Sequence, residues 1–296
     1  MLATASDTAL AADWLLRHNP SRALFKAARA RRGDVMLHLL QVKGVSATAA
    51  SLPFTSEPGG SKPLVLSAQL KLNHVLEYLW QRSDVRDDVG GAVAAVHAAA
   101  KSGNTGGLRL LLKEPSPVDV DNMNSYRGRS PLHLTALCIR GEAVQVLLQH
   151  GASCTFIDDK GFAALHFSCG GTERGSTTEE EAHARAAVVR MLLDAPQGRS
   201  VIDRRASAPE FAVHQNAGPT PLQCAAMHGL VGACEELLRS GAQVDLPGGY
   251  YGETPYQQAL PPIGIVSNKV QQVRKVLLRY GARKKRSARR DFSAAW

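Results

Sequence analysis

An octapeptide pattern occurs four times along this chain. Arg129-Ser130-Pro131-Leu132-His133-Leu134-Thr135-Ala136 is matched 33 residues later by Phe162-Ala163-Ala164-Leu165-His166-Phe167-Ser168-Cys169. It recurs as Pro219-Thr220-Pro221-Leu222-Gln223-Cys224-Ala225-Ala226, and more weakly as Glu253-Thr254-Pro255-Tyr256-Gln257-Gln258-Ala259-Leu260. Repetition at this period means that each unit buries its apolar face against its neighbours rather than in one shared core.

A second anchor lies sixteen residues beyond the signature proline position: Leu147-Leu148 follows Pro131, and Leu237-Leu238 follows Pro221. The same interval joins Ala23 to Leu39-Leu40, Pro63 to Leu79 and Ala95 to Leu111-Leu112, which exposes three degenerate units ahead of the clear ones. Gly-Ala closes three units, at Gly151-Ala152, Gly241-Ala242 and Gly281-Ala282.

The physical sense of the signature is a helix start. Thr220 or Ser130 caps backbone donors, and Pro221 or Pro131 takes the first helical position, where a missing N–H costs nothing. Small residues let the first helix approach the second, the Leu-Leu pair fills the seam between units, and the closing Gly ends the second helix. This pattern resembles the Thr-Pro-Leu-His-x-Ala signature of the ankyrin-repeat family. The resemblance implies an all-α ankyrin-repeat solenoid of about seven helix-turn-helix units, anchored at Ala23, Pro63, Ala95, Pro131, Ala164, Pro221 and Pro255.

The expected layout is a capping helix over 1–20, with Leu10, Trp14 and Leu15 on its apolar face, an ankyrin-repeat domain over 21–282, and a basic tail over 283–296. The fifth unit is longer than the rest. Thr178-x-x-Glu181 is a capping box that should lengthen its second helix toward Asp194, whereas Pro196–Gly218 reads as an exposed loop. Gly44–Lys62 and Pro261-Pro262 read as further loops.

Other chemistry finds little support. The five cysteines form no Cys-x-x-Cys pair and sit in apolar segments, as reduced core thiols do, and no cofactor or metal site is expected. Gly170-x-x-x-x-Gly175 opens like a phosphate loop, but Ser176 stands where the lysine belongs. His97, His133 and His166 share one signature position and in this family tie the helix start to the turn. No nucleophile elbow or zinc-protease motif is present, so the chain is expected not to be an enzyme. The apolar run Ala92–Ala100 is broken by His97 and falls short of the roughly 20 residues that cross a bilayer. The expected location is the cytoplasm, with the nucleus or a large cytoplasmic or cytoskeletal assembly as alternatives.

What the resemblance implies is a protein-binding scaffold, adaptor or structural subunit that uses its turn fingers and the first helices lining its groove. Carried over position by position, the finger residues are Tyr126, Arg127, Arg129, Lys160, Phe162, Tyr250 and Tyr251, and the groove residues are Arg29, Gln69, Lys101, Leu137 and Met227. Much of the net charge of +9 gathers in the tail at Arg283, Lys284, Lys285, Arg286, Arg289 and Arg290. That supports an acidic protein surface as partner, or else a nuclear, nucleic-acid-associated factor using the tail and the Arg29–Arg32 cluster. Arg204-Arg205-Ala206-Ser207 marks Ser207 as a candidate phosphorylation site.

Overall fold

The computed structural model describes residues 5–18, 22–47, 62–123, 127–171, 178–207, 218–249, 252–259 and 268–284. They form helices joined by turns; among them the only β pairing is two isolated bridges, Ile157 with Ala163 and Gly248 with Glu253. The chain divides into two compact units, 1–124 and 125–296.

The first unit opens with α1 (Ala5–His18), which packs on α3 (Gly33–Gln41) and is tied to it by Thr8 Oγ1 donating to Asp34 at 2.9 Å. Three helix pairs follow: α2 (Ala23–Arg29) with α3, α4 (Pro63–Leu70) with α5 (Asn73–Trp80), and α7 (Val89–Ser102) with α8 (Thr105–Leu111). The short α6 (Ser83–Arg86) leads into the last pair. First helices pack side by side, α2 on α4 and α4 on α7, and second helices do the same, α3 on α5 and α5 on α8. Leu39, Leu79 and Leu111, the Leu-Leu anchors, are fully buried in the seam.

Ala95 marks its repeat but not its helix start. The Ala-rich stretch lets α7 begin six residues earlier, where Asp88 accepts from Gly91 N at 3.1 Å. His97 therefore falls inside the helix, where its Nδ1 bonds the carbonyl of Val93 at 2.8 Å.

In the second unit the signature proline positions are helix starts. Its pairs are α9 (Pro131–Leu137) with α10 (Gly141–Gln149), α11 (Ala164–Ser168) with α12 (Glu179–Asp194), α13 (Pro221–Met227) with α14 (Val231–Arg239), and α15 (Pro255–Gln258) with α16 (Asn268–Arg279). The Thr178–Glu181 capping box forms as expected: Glu181 N donates to Thr178 Oγ1 and Thr178 N to Glu181 Oε2, both at 3.2 Å. It launches a helix of 16 residues. Arg185 on that helix donates to the carbonyls of Phe167 and Ser168, at 3.0 and 3.3 Å, at the end of the five-residue α11, where Phe167 O also accepts from Gly170 N at 3.1 Å.

One backbone feature recurs eight residues after the unit anchor, where the chain reverses between helices. Arg31, Lys71, Gly103, Ile139 and Gly229 all have left-handed φ there, between +54° and +70°. Glycine takes this conformation freely, whereas other residues give up about 1–2 kcal/mol.

Candidate partner-binding surface

The turns of the second unit are built on hydrogen bonds. Asp158 N donates to Phe162 O at 2.9 Å, and Asp158 Oδ1 accepts from the backbone of Lys160 and Phe162 at 3.0 and 2.9 Å. Successive turns are then linked: Asp159 N donates to Arg127 O, and Ser207 N to Lys160 O. On the far side of that strip, Ala206 exchanges backbone bonds with Gly218 and Pro219. The expected loop over Pro196–Gly218 is thus corrected for 198–207, which holds a 3₁₀ turn at Gly198–Val201 and a paired stretch that buries Val201 and Ala206; residues 208–217 lie outside the described residues.

Signature side chains tie one repeat to the next. His133 Nδ1 accepts from Ser130 N at 3.1 Å, so its Nε2 carries the proton that points at Phe162 O, also at 3.1 Å. His166 repeats the pattern between Ala163 N and Arg204 O, at 3.1 and 3.0 Å. In the sixth repeat Gln223 does the same work with an amide: Oε1 accepts from Thr220 N at 2.8 Å, and Nε2 donates to Glu253 O. Burial holds both imidazoles well below the usual range, at about 4.

Of the expected finger residues, Arg127 and Lys160 are exposed at the turn tips. Tyr126, Tyr250 and Tyr251 lie outside the described residues. Phe162 is a correction: it is 1% exposed, its ring 5.3 Å from His166 and 5.8 Å from Phe167, because it has no polar tip to draw it outward and the first signature position faces inward. Arg129 holds that position one repeat earlier and also folds inward, over Phe167 at 4.5 Å and beside Asp158 at 3.5 Å. The outward residues stand two places ahead of it, and the spacing of Arg127 and Lys160 from their signatures was the available signal.

The groove column splits by chemistry. In the first unit Arg29, Gln69 and Lys101 are all exposed. In the second, Leu137 is half-buried and Met227 is exposed, while every residue from Gly161 to Gly171 is buried. The fifth repeat therefore offers no side chain on this column. Ser207 is exposed, but its N–H is bonded and the preceding Ala206 is buried with both backbone groups paired. In the tail, Arg283 and Lys284 are exposed, and Arg283 N donates to Asp245 Oδ1 at 3.0 Å; residues 285–296, with Lys285, Arg286, Arg289 and Arg290, lie outside the described residues. Gln243 N makes the same bond to Asp203 one repeat earlier, at 2.9 Å, so Arg283 belongs to the repeat pattern.

No disulfide joins the five cysteines, four of which are buried, and burial pushes the Cys169 thiol up to about 12. Among the described residues no group of three or more His, Cys, Asp or Glu side chains is placed to hold a metal ion, and no helix is long and apolar enough to cross a membrane.

Paired helices stacked through capped turns define a class of modules that bind other proteins rather than transform small molecules. Residues 96–201 match the family described as ankyrin repeats (3 copies), and residues 218–248 the family described as ankyrin repeat. This chain therefore carries ankyrin repeats. It is similar to the Palmitoyltransferase ZDHHC13 proteins of Pongo abelii and Homo sapiens, in each case 27% identical over 199 residues. The match covers 60% of this chain and 30% of each relative's length.

Proposed function

We propose that this chain is a non-catalytic binding module, an adaptor or a structural subunit, that docks protein partners on the first-helix column and the turn tips. The observation that carries this reading is the register of the first helices within each unit: the same position is exposed at Arg29, Gln69 and Lys101 in the first, and in the second it is half-buried at Leu137 and exposed at Met227, on either side of the buried fifth repeat. Arg127 and Lys160, with Tyr126, Tyr250 and Tyr251 beside them in sequence, supply the finger contacts; Tyr and Arg are the side chains that most often anchor interfaces. The tail from Arg283 to Arg290 adds electrostatic attraction to an acidic partner, and the module works in the cytoplasm or nucleus. The palmitoyl transfer in the relatives' name stays with those proteins.

A protein partner is favoured over nucleic acid because the cations of the first unit are partly spent internally. Arg32 grips Asp34, Lys43 pairs with Asp13, Lys62 with Asp88 and Arg82 with Asp84. The test is affinity recovery of native partners by three chains at physiological salt: the parent, Met227→Glu combined with Tyr126→Ala and Tyr251→Ala, and a chain ending at Ala282. The triple variant is expected to lose the partners and the shortened chain to keep most of them. The opposite result moves the functional surface to the tail.

A further inference from the structure

The first unit carries four cations on one edge. Arg29 and Lys101 stand six residues after their anchors, at or near the ends of α2 and α7; Arg31 and Lys71 stand eight residues after theirs, in the reversals that follow α2 and α4. All four are exposed, and α2, α4 and α7 pack in that order, so the four lie along one column. The carboxylate of Asp34, close in sequence to Arg31, is engaged by Arg32.

The negative end of a helix accounts for cations in the last turn, as at Arg29 and Lys101. It does not account for Arg31 and Lys71. Their φ values of +54° and +62° place them where the third repeat has Gly103 and the sixth has Gly229, both in the same conformation without a side chain to strain it. Ile139 holds the same conformation in the second unit without a charge, so the strain alone marks nothing; what sets the first unit apart is that two consecutive repeats fill the position with cations.

We propose that this column binds an extended acidic protein segment with a carboxylate at every third residue. This deepens the protein-binding reading above and rests on it. Packed helices lie about 8–10 Å apart, so the column offers positive charge at about that interval. A polyproline II segment has three residues per turn and rises about 3.1 Å per residue, which returns a side chain to the same face every 9 Å or so. Spacing and charge therefore match such a peptide. Nucleic acid presents its charges far more densely, and its affinity rests on many phosphate contacts at once, so four cations on one edge suit it poorly.

The experiment measures anisotropy of labelled twelve-residue peptides against the full chain: one with Glu at every third position, one of identical composition with the Glu residues contiguous, and a 20-nucleotide single-stranded DNA. The spaced peptide is expected to bind more tightly than the contiguous one. The Arg31→Gly/Lys71→Gly variant removes two charges at positions where glycine fits, so its melting temperature should not fall while its affinity for the spaced peptide drops at least tenfold. Arg29→Ala, outside the reversals, should weaken binding in the same direction and serves if the glycine pair disturbs folding. Unchanged peptide affinity in both variants, or equal binding of the two peptides, overturns the proposal. So does DNA binding tighter than either peptide and lost in the glycine variant. If the glycine variant still recovers native partners as the parent does, this assignment fails while the protein-binding reading stands.

Discussion

His133 and Phe162 are joined across two repeats: Nε2 of the imidazole lies 3.1 Å from the carbonyl of Phe162, while Nδ1 accepts from Ser130 N. One neutral ring thus serves as acceptor to its own helix start and donor to the next turn. Protonation would turn the acceptor nitrogen into a second donor facing an N–H, and burial penalises the charge as well.

This sets a pH dependence. In the unfolded chain the imidazoles titrate near 6.5, whereas burial lowers His133 and His166 to about 4 in the fold. Between those values the unfolded chain binds protons that the fold refuses, so stability falls as pH drops from 6.5 and the contribution is gone by about 4. At pH 5 the two sites together cost on the order of 4 kcal/mol relative to pH 7.5. Gln223 already does the same work with an amide. A His133→Gln/His166→Gln variant is therefore expected to fold and to lose less melting temperature than the parent between pH 7.5 and 5, measured by circular dichroism. Parallel losses in the two chains would show that the histidines do not carry the effect.

Arg185 answers a local deficit. The five-residue α11 ends without a long run of its own hydrogen bonds, and the guanidinium takes up two of its carbonyls. Arg185→Ala should cost about 1–2 kcal/mol, since Phe167 O keeps its bond from Gly170 N, and Arg185→Lys should recover part of the loss because both bonds come from one guanidinium nitrogen. Chemical denaturation reads both. A loss below about 0.5 kcal/mol for the alanine variant would mean that water replaces the contact.

The helix starts of the second unit were legible because proline, Ser or Thr, and His or Gln each leave a chemical mark at fixed spacing, and the structure places α9, α11, α13 and α15 on those marks. The start of α7 was not, since an Ala-rich stretch is compatible with a helix beginning anywhere along it, and the cap that decides is Asp88. The turn residues posed a harder problem. Residue type suggested that Phe162 and Arg129 face a partner, but direction is set by the turn hydrogen bonds of Asp158, which sequence spacing alone does not reveal. Arg31 was legible only as part of the Arg29–Arg32 cluster and Lys71 not at all, because their left-handed backbone has no signature when glycine is absent.

Phe162→Ala separates folding from binding. With the ring 1% exposed and packed on His166 and Phe167, truncation should cost about 3–5 kcal/mol of stability and lower the melting temperature clearly. Phe162→Leu should cost much less. Partner affinity of whatever fraction remains folded should be unchanged. If Phe162→Ala instead melts like the parent and loses partners, the ring is a contact and its burial here is wrong.

Stability should also differ along the chain, in a direction that the hydrogen bonds set. In the second unit, His133, His166 and Gln223 each bond a helix start on one side and the next turn on the other, and Thr220 and Thr254 cap their helices. Second helices begin without a side-chain cap hydrogen bond in both units, at α3, α5, α10 and α14; in the first unit the first helices α2 and α4 lack one too, and Asn104, which accepts from Gly107 N at 2.9 Å, donates across to Ala68 O at 3.0 Å. A missing cap costs about 1 kcal/mol, and in an array whose repeats hold mainly their neighbours such losses act locally. Native-state hydrogen exchange should therefore find amides in α2 to α5 exchanging faster than those of α9, α10, α13 and α14. Slower exchange from Leu24 to Leu79 than from Pro131 to Ala242 would reverse the ranking and would mean that Leu-Leu packing in the seam, rather than capping and inter-repeat hydrogen bonds, sets the stability of each repeat.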